Sequence, residues 1–356
     1  MRVEYDFERV AECMAAAAAK SGTRILEPHS ATVGSPNPVA LKKFGSNKNK
    51  RNKQPQTKMS KLKAKSYSGR IKDGLWIGVP NVVYQASNHL SSSMLRLLMR
   101  SPLEYKRTVD GIIKRESTDA MDYGTAAHAA ILEGRMDSFY IRPDTYGDGK
   151  PWNGNASFCK EWADIHADKP VVSAKQVQEL SAASEYVHNH KQAKRILCGG
   201  NYEVSVFSNG EKARCDFLKI EGDAAIVADL KTCKDASTFE FSKEIVNRGY
   251  HIQFAWYRRV LSAIGIKHFR FYFIALQKGQ MPLVNVLEMN PAAMDAADKQ
   301  ISDALDVLQK CVANSYWPEW PDFDGTHEIK TVDIPEWAYS SSGSIELEMG
   351  GTTIEV

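Results

Sequence analysis

The stretch from Lys212 to Thr232, KARCDFLKIEGDAAIVADLKT, constrains the fold of this chain more than any other. It reads as two strands joined by a tight turn at Gly222 and Asp223, because Gly and Asp are favoured turn residues. A turn that is symmetric about these two residues places Asp216 opposite Asp229. Directly opposed residues of antiparallel strands have Cβ atoms roughly 4.5–5.5 Å apart, and like charges there are destabilising. Two carboxylates held so close favour a cation between them, so the hairpin predicts a metal site.

The same register places Arg214 opposite Lys231. Apart from these charged residues, the side chains on both faces of the hairpin are largely apolar, which indicates a sheet that is covered on each side. Helices are predicted before the hairpin, including one from Asp122 to Glu133, and after it, in residues 239–264 with a break at Gly249. The order of helices, three strands, helices, two strands and a helix predicts an α/β fold with a mixed central β-sheet sandwiched by helices.

The end of the second strand carries the residues that suggest chemistry. Asp229 and Lys231 are two positions apart, so their side chains leave the same face of a strand. The peptide between them offers the Leu230 carbonyl as a further oxygen ligand, and carboxylate and carbonyl oxygens suit Mg²⁺ or Mn²⁺. A metal ion beside an ammonium group can activate water and neutralise charge on a phosphoryl group.

Cysteine usage and hydropathy exclude several other classes of protein. The six cysteines are scattered and form no Cys-x-x-Cys pair, so we expect neither a zinc site nor an iron–sulfur cluster. Scattered cysteines are typical of a reducing cytosol. No run approaches the roughly 18 apolar residues of a membrane span, and the acidic N-terminus is not typical of a signal peptide. We therefore expect a cytoplasmic protein with no membrane partner.

A basic stretch precedes the part of the chain with a globular composition. Every charged residue between Leu41 and Lys72 is positive, and residues 34–70 hold almost no large apolar side chains. Such a segment buries too little surface to offset its ordering entropy, so we expect it to be disordered. It is either a tether that contacts nucleic-acid phosphates or a solvated linker. The candidate phosphate contacts are Lys48, Lys50, Arg51 and Lys53. We divide the chain into an N-terminal extension (1–80), a globular domain (81–325) and a C-terminal tail (326–356).

An ordered set of motifs resembles the PD-(D/E)XK nuclease superfamily. The motifs are Gly124-Thr125-Ala126-Ala127-His128, Glu203, Arg214 two residues before Asp216, Asp229-Leu230-Lys231-Thr232 twelve residues after Asp216, and Gln253-Phe254-Ala255-Trp256-Tyr257. Within that superfamily the chain is similar to the RecB-like branch and to phage RecE-type exonucleases (exonuclease VIII). An Asp-x-Lys motif alone is weak, but the ordered set is specific. The similarity runs from about Asn81 to Trp320 and implies a restriction-endonuclease-like core in residues 81–325. Cys215 stands where the superfamily name has proline, a replacement that is frequent in this branch.

The resemblance also implies roles for individual residues. The Mg²⁺ ligands would be His128, Asp216, Asp229, the backbone carbonyl of Leu230, and Glu203. The catalytic residues would be Asp216, Asp229, Lys231, Gln253 and Tyr257. Lys231 would position or deprotonate the attacking water, while Gln253 and Tyr257, on one helix face, would orient Lys231 or contact the DNA backbone.

Several of the candidate site residues have alternative roles. His128 could hold the leaving phosphate, or be a core histidine in a helix of small residues. Tyr257 could belong to the core, and Glu203 could be an exposed strand residue. Arg214 could bind a DNA phosphate or pair with Asp229 across the hairpin.

The function implied by the resemblance is that of a Mg²⁺-dependent exodeoxyribonuclease, with Mn²⁺ as a possible substitute. Such an enzyme would degrade linear double-stranded DNA from its 5′ ends and leave 3′ single-stranded tails for recombination by strand annealing. Its expected partners are DNA ends, a RecT-like single-strand annealing protein and further copies of itself in a ring-like homo-oligomer. The expected setting is the cytoplasm of a bacterial host, with the chain encoded by a phage or prophage. Two alternatives stay open: a structure-specific or nicking endonuclease of the same fold, and an inactive nuclease-fold module that binds DNA.

Overall fold

A seven-stranded sheet forms the centre of the fold. The computed structural model describes residues 62–114, 117–279, 281–320 and 331–333, and the backbone of two short strands at 347–349 and 352–354. The strands are β1 (Lys65–Ser66), β2 (Gly74–Ile77), β3 (Tyr140–Arg142), β4 (Thr145–Tyr146), β5 (Lys150–Pro151), β6 (Val171–Ser173), β7 (Asn201–Ser208), β8 (Glu211–Glu221), β9 (Ala224–Cys233), β10 (His268–Gln277), β11 (Leu283–Glu288), β12 (Leu347–Met349) and β13 (Thr352–Ile354). The helices are α1 (Asn81–Ala86), α2 (Ser92–Arg100), α3 (Pro102–Val109), α4 (Asp119–Ala127), α5 (Ser157–Ile165), α6 (Ala174–Asn189), α7 (Lys191–Ile196), α8 (Thr238–Asn247), α9 (Tyr250–Ala263) and α10 (Pro291–Asn314), and a π-helical turn (His128–Leu132) follows α4.

The central sheet is mixed, as predicted. Its strand order is β1-β2-β7-β8-β9-β10-β11. The β1–β2 and β9–β10 pairs are parallel, and the other neighbouring pairs are antiparallel. Helices α8 and α9 form the crossover between β9 and β10, because parallel neighbours require a long connection. The Gly249 break between these helices is confirmed, since Gly249 has a φ of 64°.

Helices cover both faces of this sheet, which confirms the predicted sandwich. On one face, sheet residues such as Val227 and Phe273 pack in a core that includes Trp256 of α9 and Leu305 of α10. On the other face, a second core includes residues of the sheet, the π-helical turn, α6 and α7, among them Phe217, Leu230, Ile131, Leu180 and Ile196. No helix in the described ranges is both long enough and apolar enough to cross a membrane.

The β8–β9 hairpin has the predicted register. Its backbone pairs run from Glu221 with Ala224 to Phe217 with Ala228. Gly222 takes the left-handed conformation of the turn, with a φ of 67°. The register is therefore confirmed, although the backbone pairing ends one residue short of the two aspartates.

Beyond that point the two strands no longer pair with each other, and each keeps only its outer neighbour. Arg214 pairs with Ser205 of β7, and Lys231 pairs with Ala275 of β10. The prediction that Arg214 lies opposite Lys231 is therefore wrong. The physical reason is that the Leu230 N–H donates to the side chain of Asp216 rather than to the backbone of β8, so the hairpin is open at the end where the charged residues lie.

The sheet begins earlier in the chain than the sequence suggested. Strand β2 pairs with β7 although it precedes residue 81, and β1 lies within the basic stretch that we expected to be disordered. Leu62 and Ala64 pack against the core that includes Trp256. This burial offsets part of the conformational entropy that is lost when the edge strand β1 becomes ordered. The candidate phosphate contacts Lys48, Lys50, Arg51 and Lys53 lie outside the described residues.

The C-terminal part of the chain forms a separate unit, residues 322–356. Within it, β12 and β13 form a short antiparallel pair in which Leu347 pairs with Ile354.

Candidate active site

The buried carboxylate of Asp229 is the centre of one half of the site. Asp229 is 1% exposed, and Lys231 Nζ contacts its Oδ2 atom. Gln253 of α9 donates a hydrogen bond to its Oδ1 atom over 2.9 Å. The ammonium group of Lys231 is thus the partner of Oδ2, and the amide of Gln253 is the partner of Oδ1. A buried carboxylate requires such partners, because burial without them is costly.

Asp216 takes the place of a backbone partner where the hairpin opens. Its Oδ2 atom accepts a hydrogen bond from the backbone N–H of Leu230 over 3.0 Å. The carbonyl of the same residue, Leu230, accepts a hydrogen bond from His128 Nε2 over 2.8 Å. The peptide groups of Leu230 thus connect Asp216 to His128, and they also place that carbonyl at the site, as the sequence predicted.

His128 reaches the site from the π-helical turn that follows α4. A π turn holds one more residue than an α turn and is frequent at functional sites. Small neighbours, among them Ala127 and Ala130, are almost fully buried and let the turn approach the sheet closely. Because a carbonyl only accepts hydrogen bonds, the bond to Leu230 places a hydrogen on His128 Nε2. In the neutral ring, Nδ1 then carries a lone pair directed at the site.

The third component is Glu203 of β7. Glu203 has a φ of 50°, an uncommon left-handed conformation for a residue other than glycine. At this position the β7–β8 pairing is interrupted between Tyr202–Phe217 and Val204–Cys215. Backbone strain of this kind is concentrated at functional sites. Here it accompanies a glutamate directed inward rather than the exposed strand residue of the alternative interpretation.

One ligand atom from each of His128, Glu203 and Asp216 lies within 4.8 Å of the other two. His128 Nδ1 is 3.3 Å from Asp216 Oδ2. Two lone pairs at this distance repel unless a proton or a metal cation lies between them. Burial raises the pKa of Glu203 to about 7, and the charge of Asp216 adds to that effect. Burial, together with the charge of Asp229, raises the pKa of Asp216 to about 6.

These residues fit a divalent metal ion. Carboxylate oxygens are the ligands that Mg²⁺ and Mn²⁺ prefer, an imidazole nitrogen is a less usual addition to them, and the crowded carboxylates need positive charge. His128, Glu203 and Asp216 would hold the ion, with Asp229 and the Leu230 carbonyl beside them as the further ligands implied by the sequence. The ligand role of Asp229 stays a prediction, because the group of converging ligand atoms does not include it.

Lys231 is held among carboxylates and an aromatic ring. Its side chain is 14% exposed and contacts Asp229. Burial lowers the pKa of a lysine, but the charges of Asp229, Asp216 and Tyr250 outweigh that effect and leave the pKa of Lys231 raised. Lys231 is therefore an ammonium group at neutral pH, which suits hydrogen-bond donation to a water molecule or a phosphoryl oxygen better than removal of a proton.

Gln253 and Tyr257 form a hydrogen-bonded series on the inner side of α9. Gln253 Nε2, which donates to Asp229, lies 2.7 Å from Tyr257 Oη, and Tyr257 donates to the carbonyl of Arg214 over 2.6 Å. Gln253 thus contacts Asp229 rather than Lys231. Tyr257 is only 5% exposed, so the prediction that it contacts the DNA backbone is wrong. The alternative is confirmed: Tyr257 is a core residue, with its hydroxyl group bound to β8.

Arg214 does not pair with Asp229, so that alternative is also wrong. Its guanidinium donates to Ser205 Oγ over 3.0 Å and to the carbonyl of Val79 over 2.8 Å. Its Nη1 atom is 3.9 Å from Glu203. Arg214 therefore supports the glutamate of the site, and its binding to a DNA phosphate stays a prediction.

Tyr250 is a site residue that the sequence analysis missed. Its ring lies over Lys231, with Nζ 4.6 Å from the ring centroid. The sequence spacing could have indicated Tyr250, because it precedes Gln253 by three residues and so shares its helix face. The contact with Lys231 nevertheless depends on how α9 packs on β9, which the spacing does not reveal.

Fold and site together define a nuclease-type PD-(D/E)XK domain: a mixed sheet between helices, with the Asp216, Asp229 and Lys231 set where its central hairpin opens. The chain belongs to the family described as PDDEXK-like domain of unknown function (DUF3799), whose model matches residues 91–322. This confirms the superfamily recognised from the motifs.

One solved structure supports the same fold, and a second shows only a weaker similarity. A crystal structure from Eubacterium rectale, provisionally described as an exonuclease, has a TM-score of 0.50 and 14% identity, and the match covers 75% of this chain and 99% of that one. A phage-related exonuclease from Haemophilus somnus 129PT has a TM-score of 0.27 and 11% identity, with 58% of this chain and 98% of that one covered. No curated protein matches the chain.

Proposed function

We propose that this protein is a metal-dependent deoxyribonuclease, and more narrowly a Mg²⁺-dependent exonuclease on linear double-stranded DNA. The observation that carries the proposal is the convergence of His128, Glu203 and Asp216 beside the buried Asp229–Lys231 pair. The resemblance to RecE-type enzymes supports 5′-to-3′ polarity and 3′ single-stranded tails. The description of the Eubacterium rectale protein as an exonuclease is consistent with exonuclease activity in this chain.

The residues of the candidate active site would have distinct tasks in phosphodiester hydrolysis. A divalent cation held by the carboxylates and His128 would act as a Lewis acid on the scissile phosphoryl group and acidify a water molecule. Lys231, as an ammonium group, would orient the attacking water and stabilise negative charge that develops on the phosphoryl oxygens. Asp229 would hold Lys231 in place, and Gln253 would fix the orientation of Asp229.

The proposed partners rest on the resemblance alone. They are ends of double-stranded DNA, a RecT-like single-strand annealing protein and further copies of this chain in a ring-like homo-oligomer. A phage or prophage origin and the cytoplasm of a bacterial host belong to the same proposal.

The test uses two DNA substrates and one inactive variant. Linear duplexes labelled at the 5′ or 3′ end and covalently closed circles are incubated with the purified full chain in Mg²⁺ or EDTA. We expect loss of the linear duplex only in Mg²⁺, early release of the 5′ label and intact circles. Lys231→Ala should abolish cleavage and retain DNA binding, whereas Lys219→Ala, on the same hairpin but outside the site, should cleave normally.

Other outcomes separate the alternatives. Cutting of circles at the rate of linear DNA would indicate an endonuclease. Binding without cleavage by the parent protein would indicate an inactive DNA-binding module. Unchanged cleavage by Lys231→Ala would refute the assignment of the site.

A further inference from the structure

A cationic groove lies at the turn between α8 and α9, where α2 passes beside them. Its volume is about 480 Å³. The basic residues of its lining, all within the described chain, are Arg96, Arg100, Arg248 and His251, and that lining includes no acidic residue. Such a groove attracts an anionic ligand.

The turn is built to hold an arginine. Arg96 Nη1 donates to the carbonyl of Arg248, the residue that ends α8. The stem of Arg96 packs on Gly249, where an added Cβ atom would lie 2.7 Å from Arg96 Cδ. Gly249 is required twice, for this close approach and for its φ of 64°. The position of the Arg96 guanidinium is therefore fixed by the fold.

The groove and the candidate active site share the start of α9. Gly249, in its lining, is followed by Tyr250, whose ring contacts Lys231. One helical turn later, Gln253 binds Asp229. The start of α9 thus has the groove on one side and the catalytic residues on the other. Since α9 has no side-chain cap at its N-terminus, the helix dipole adds positive potential there.

A second cavity differs from this groove because its lining includes carboxylates. That cavity, about 700 Å³ in volume, lies near the C-terminal end of α9 and is also lined by arginines. There, however, Arg258 is paired with Asp298, and Arg270 is paired with Glu288. Both carboxylates belong to the same lining and pair with these two arginines, whereas Arg259 of that lining pairs with Glu211 outside it. In the first groove, Arg100 has a carboxylate partner, Glu104, but this partner lies outside the lining.

We propose that the groove of Arg96, Arg100, Arg248 and His251 binds the phosphodiester backbone of DNA beside the catalytic residues. This inference rests on the proposed nuclease function and adds to it the path of the substrate. Guanidinium groups suit phosphate oxygens in charge and geometry, and contacts of this kind position a nucleic acid without reading its sequence.

The test measures the salt dependence of DNA binding in the inactive Lys231→Ala protein. Arg100→Gln and Arg248→Gln are combined, because both side chains are exposed and neither fixes the turn. A fluorescent 20-base-pair duplex is titrated by anisotropy at several NaCl concentrations. The slope of log K against log salt is negative, and each lost phosphate contact makes it shallower by about 0.9. We therefore expect the slope of the double variant to be shallower by about 1.8.

The control removes the same charge from the second cavity, through Arg258→Gln combined with Arg270→Gln. We expect this control to keep the parent slope. If the groove variant also keeps the parent slope, the groove proposal is overturned while the nuclease proposal stands. If the control loses as much as the groove variant, net charge explains the effect and the groove proposal is likewise overturned. If the Lys231→Ala protein binds no DNA at any salt concentration, both proposals fail. Thermal melting of each variant checks that the fold is retained.

Discussion

Gln253 donates a hydrogen bond from its side-chain amide to Asp229 Oδ1 over 2.9 Å. The bond joins the crossover helix α9 to the strand that carries both Asp229 and Lys231. Because the amide nitrogen donates to this atom, it fixes the plane of the Asp229 carboxylate. The other oxygen is thereby directed towards Lys231, which contacts it. Gln253 can in this way determine the geometry of both Asp229 and Lys231.

We expect Gln253→Ala to lower the rate of DNA cleavage about 10- to 100-fold, the usual cost of losing a residue that orients a metal-site ligand. Gln253→Glu should reduce it further, because a carboxylate would then face Asp229. The measurement is the initial rate on linear duplex over a range of Mg²⁺ concentrations. Gln192→Ala, at an exposed position of α7, is the control. A rate for Gln253→Ala equal to that of this control would contradict the role.

Tyr250 provides a separate test of how Lys231 is held. A cation over an aromatic ring gains about 0.5–2 kcal/mol, depending on its exposure. We expect Tyr250→Leu to cleave roughly 10-fold more slowly, since 1.4 kcal/mol corresponds to a factor of ten. Tyr250→Phe keeps the ring and should retain at least half of the parent rate. If phenylalanine fails as badly as leucine, the hydroxyl group rather than the ring face is responsible.

The features that could be predicted from the sequence are those determined by local chemistry. The turn residues at Gly222 and Asp223 and the apolar pattern on both strands determine the hairpin register, which the structure confirms. The break between α8 and α9 follows from Gly249 in the same way. The mixed sheet with helices on both faces follows from the order of these elements.

The features that could not be predicted depend on contacts between distant parts of the chain. Asp216 accepts the N–H of Leu230 where the backbone pairing of the hairpin has ended, and the turn residues do not reveal where it ends. The left-handed conformation of Glu203 results from an interruption in the pairing of β7 with β8. Strand β1 was missed because a basic, polar composition predicts disorder, and that composition gives no information on pairing with β2.

Lys212 allows a test of stability that is independent of catalysis. This lysine is 4% exposed, and its Nζ atom donates to the carbonyls of Tyr84, Gln85 and Ser87 at the end of α1. Without that donor these carbonyls lose hydrogen bonds to a charged group. We expect Lys212→Met to lower the free energy of unfolding by about 2 kcal/mol at pH 7. Urea unfolding measures this loss, with Lys219→Met as the control. An unfolding midpoint equal to that of the control would refute it.

The same lysine predicts a dependence on pH. Burial lowers the pKa of Lys212 to about 8, and the charge of Arg214 adds to that effect. The unfolded chain, in which a lysine has a pKa near 10.4, then binds more protons than the folded chain above about pH 8. Stability from this group therefore rises with pH between about 8 and 10. We expect the stability difference between the parent and Lys212→Met to grow from pH 8 to pH 9.5. A constant difference would contradict the lowered pKa.

Asp216→Asn should abolish the rise in melting temperature that Mg²⁺ causes, without lowering the melting temperature in EDTA. A variant that had simply lost structure would melt lower in EDTA. Asparagine can still accept the N–H of Leu230, so the local backbone is retained. In EDTA we expect this variant to melt at the same temperature as the parent or higher, because one of two crowded carboxylates is gone. Mg²⁺ at about 100 times its Kd stabilises a folded protein by about 2.7 kcal/mol. For a domain of this size, that corresponds to a rise in Tm of roughly 5–10 °C. The parent should show this rise and the variant should not.

Asp223→Asn is the matched control, since it makes the same substitution in the turn of the same hairpin. It should keep the full response to Mg²⁺. Thermal melting of the three proteins in EDTA and in Mg²⁺ is the measurement. A variant that melts far below the parent in EDTA would mean that Asp216 is needed for folding rather than for metal. An equal response of all three proteins would mean that the ion binds elsewhere. Only stability in EDTA combined with loss of the Mg²⁺ response identifies Asp216 as a ligand.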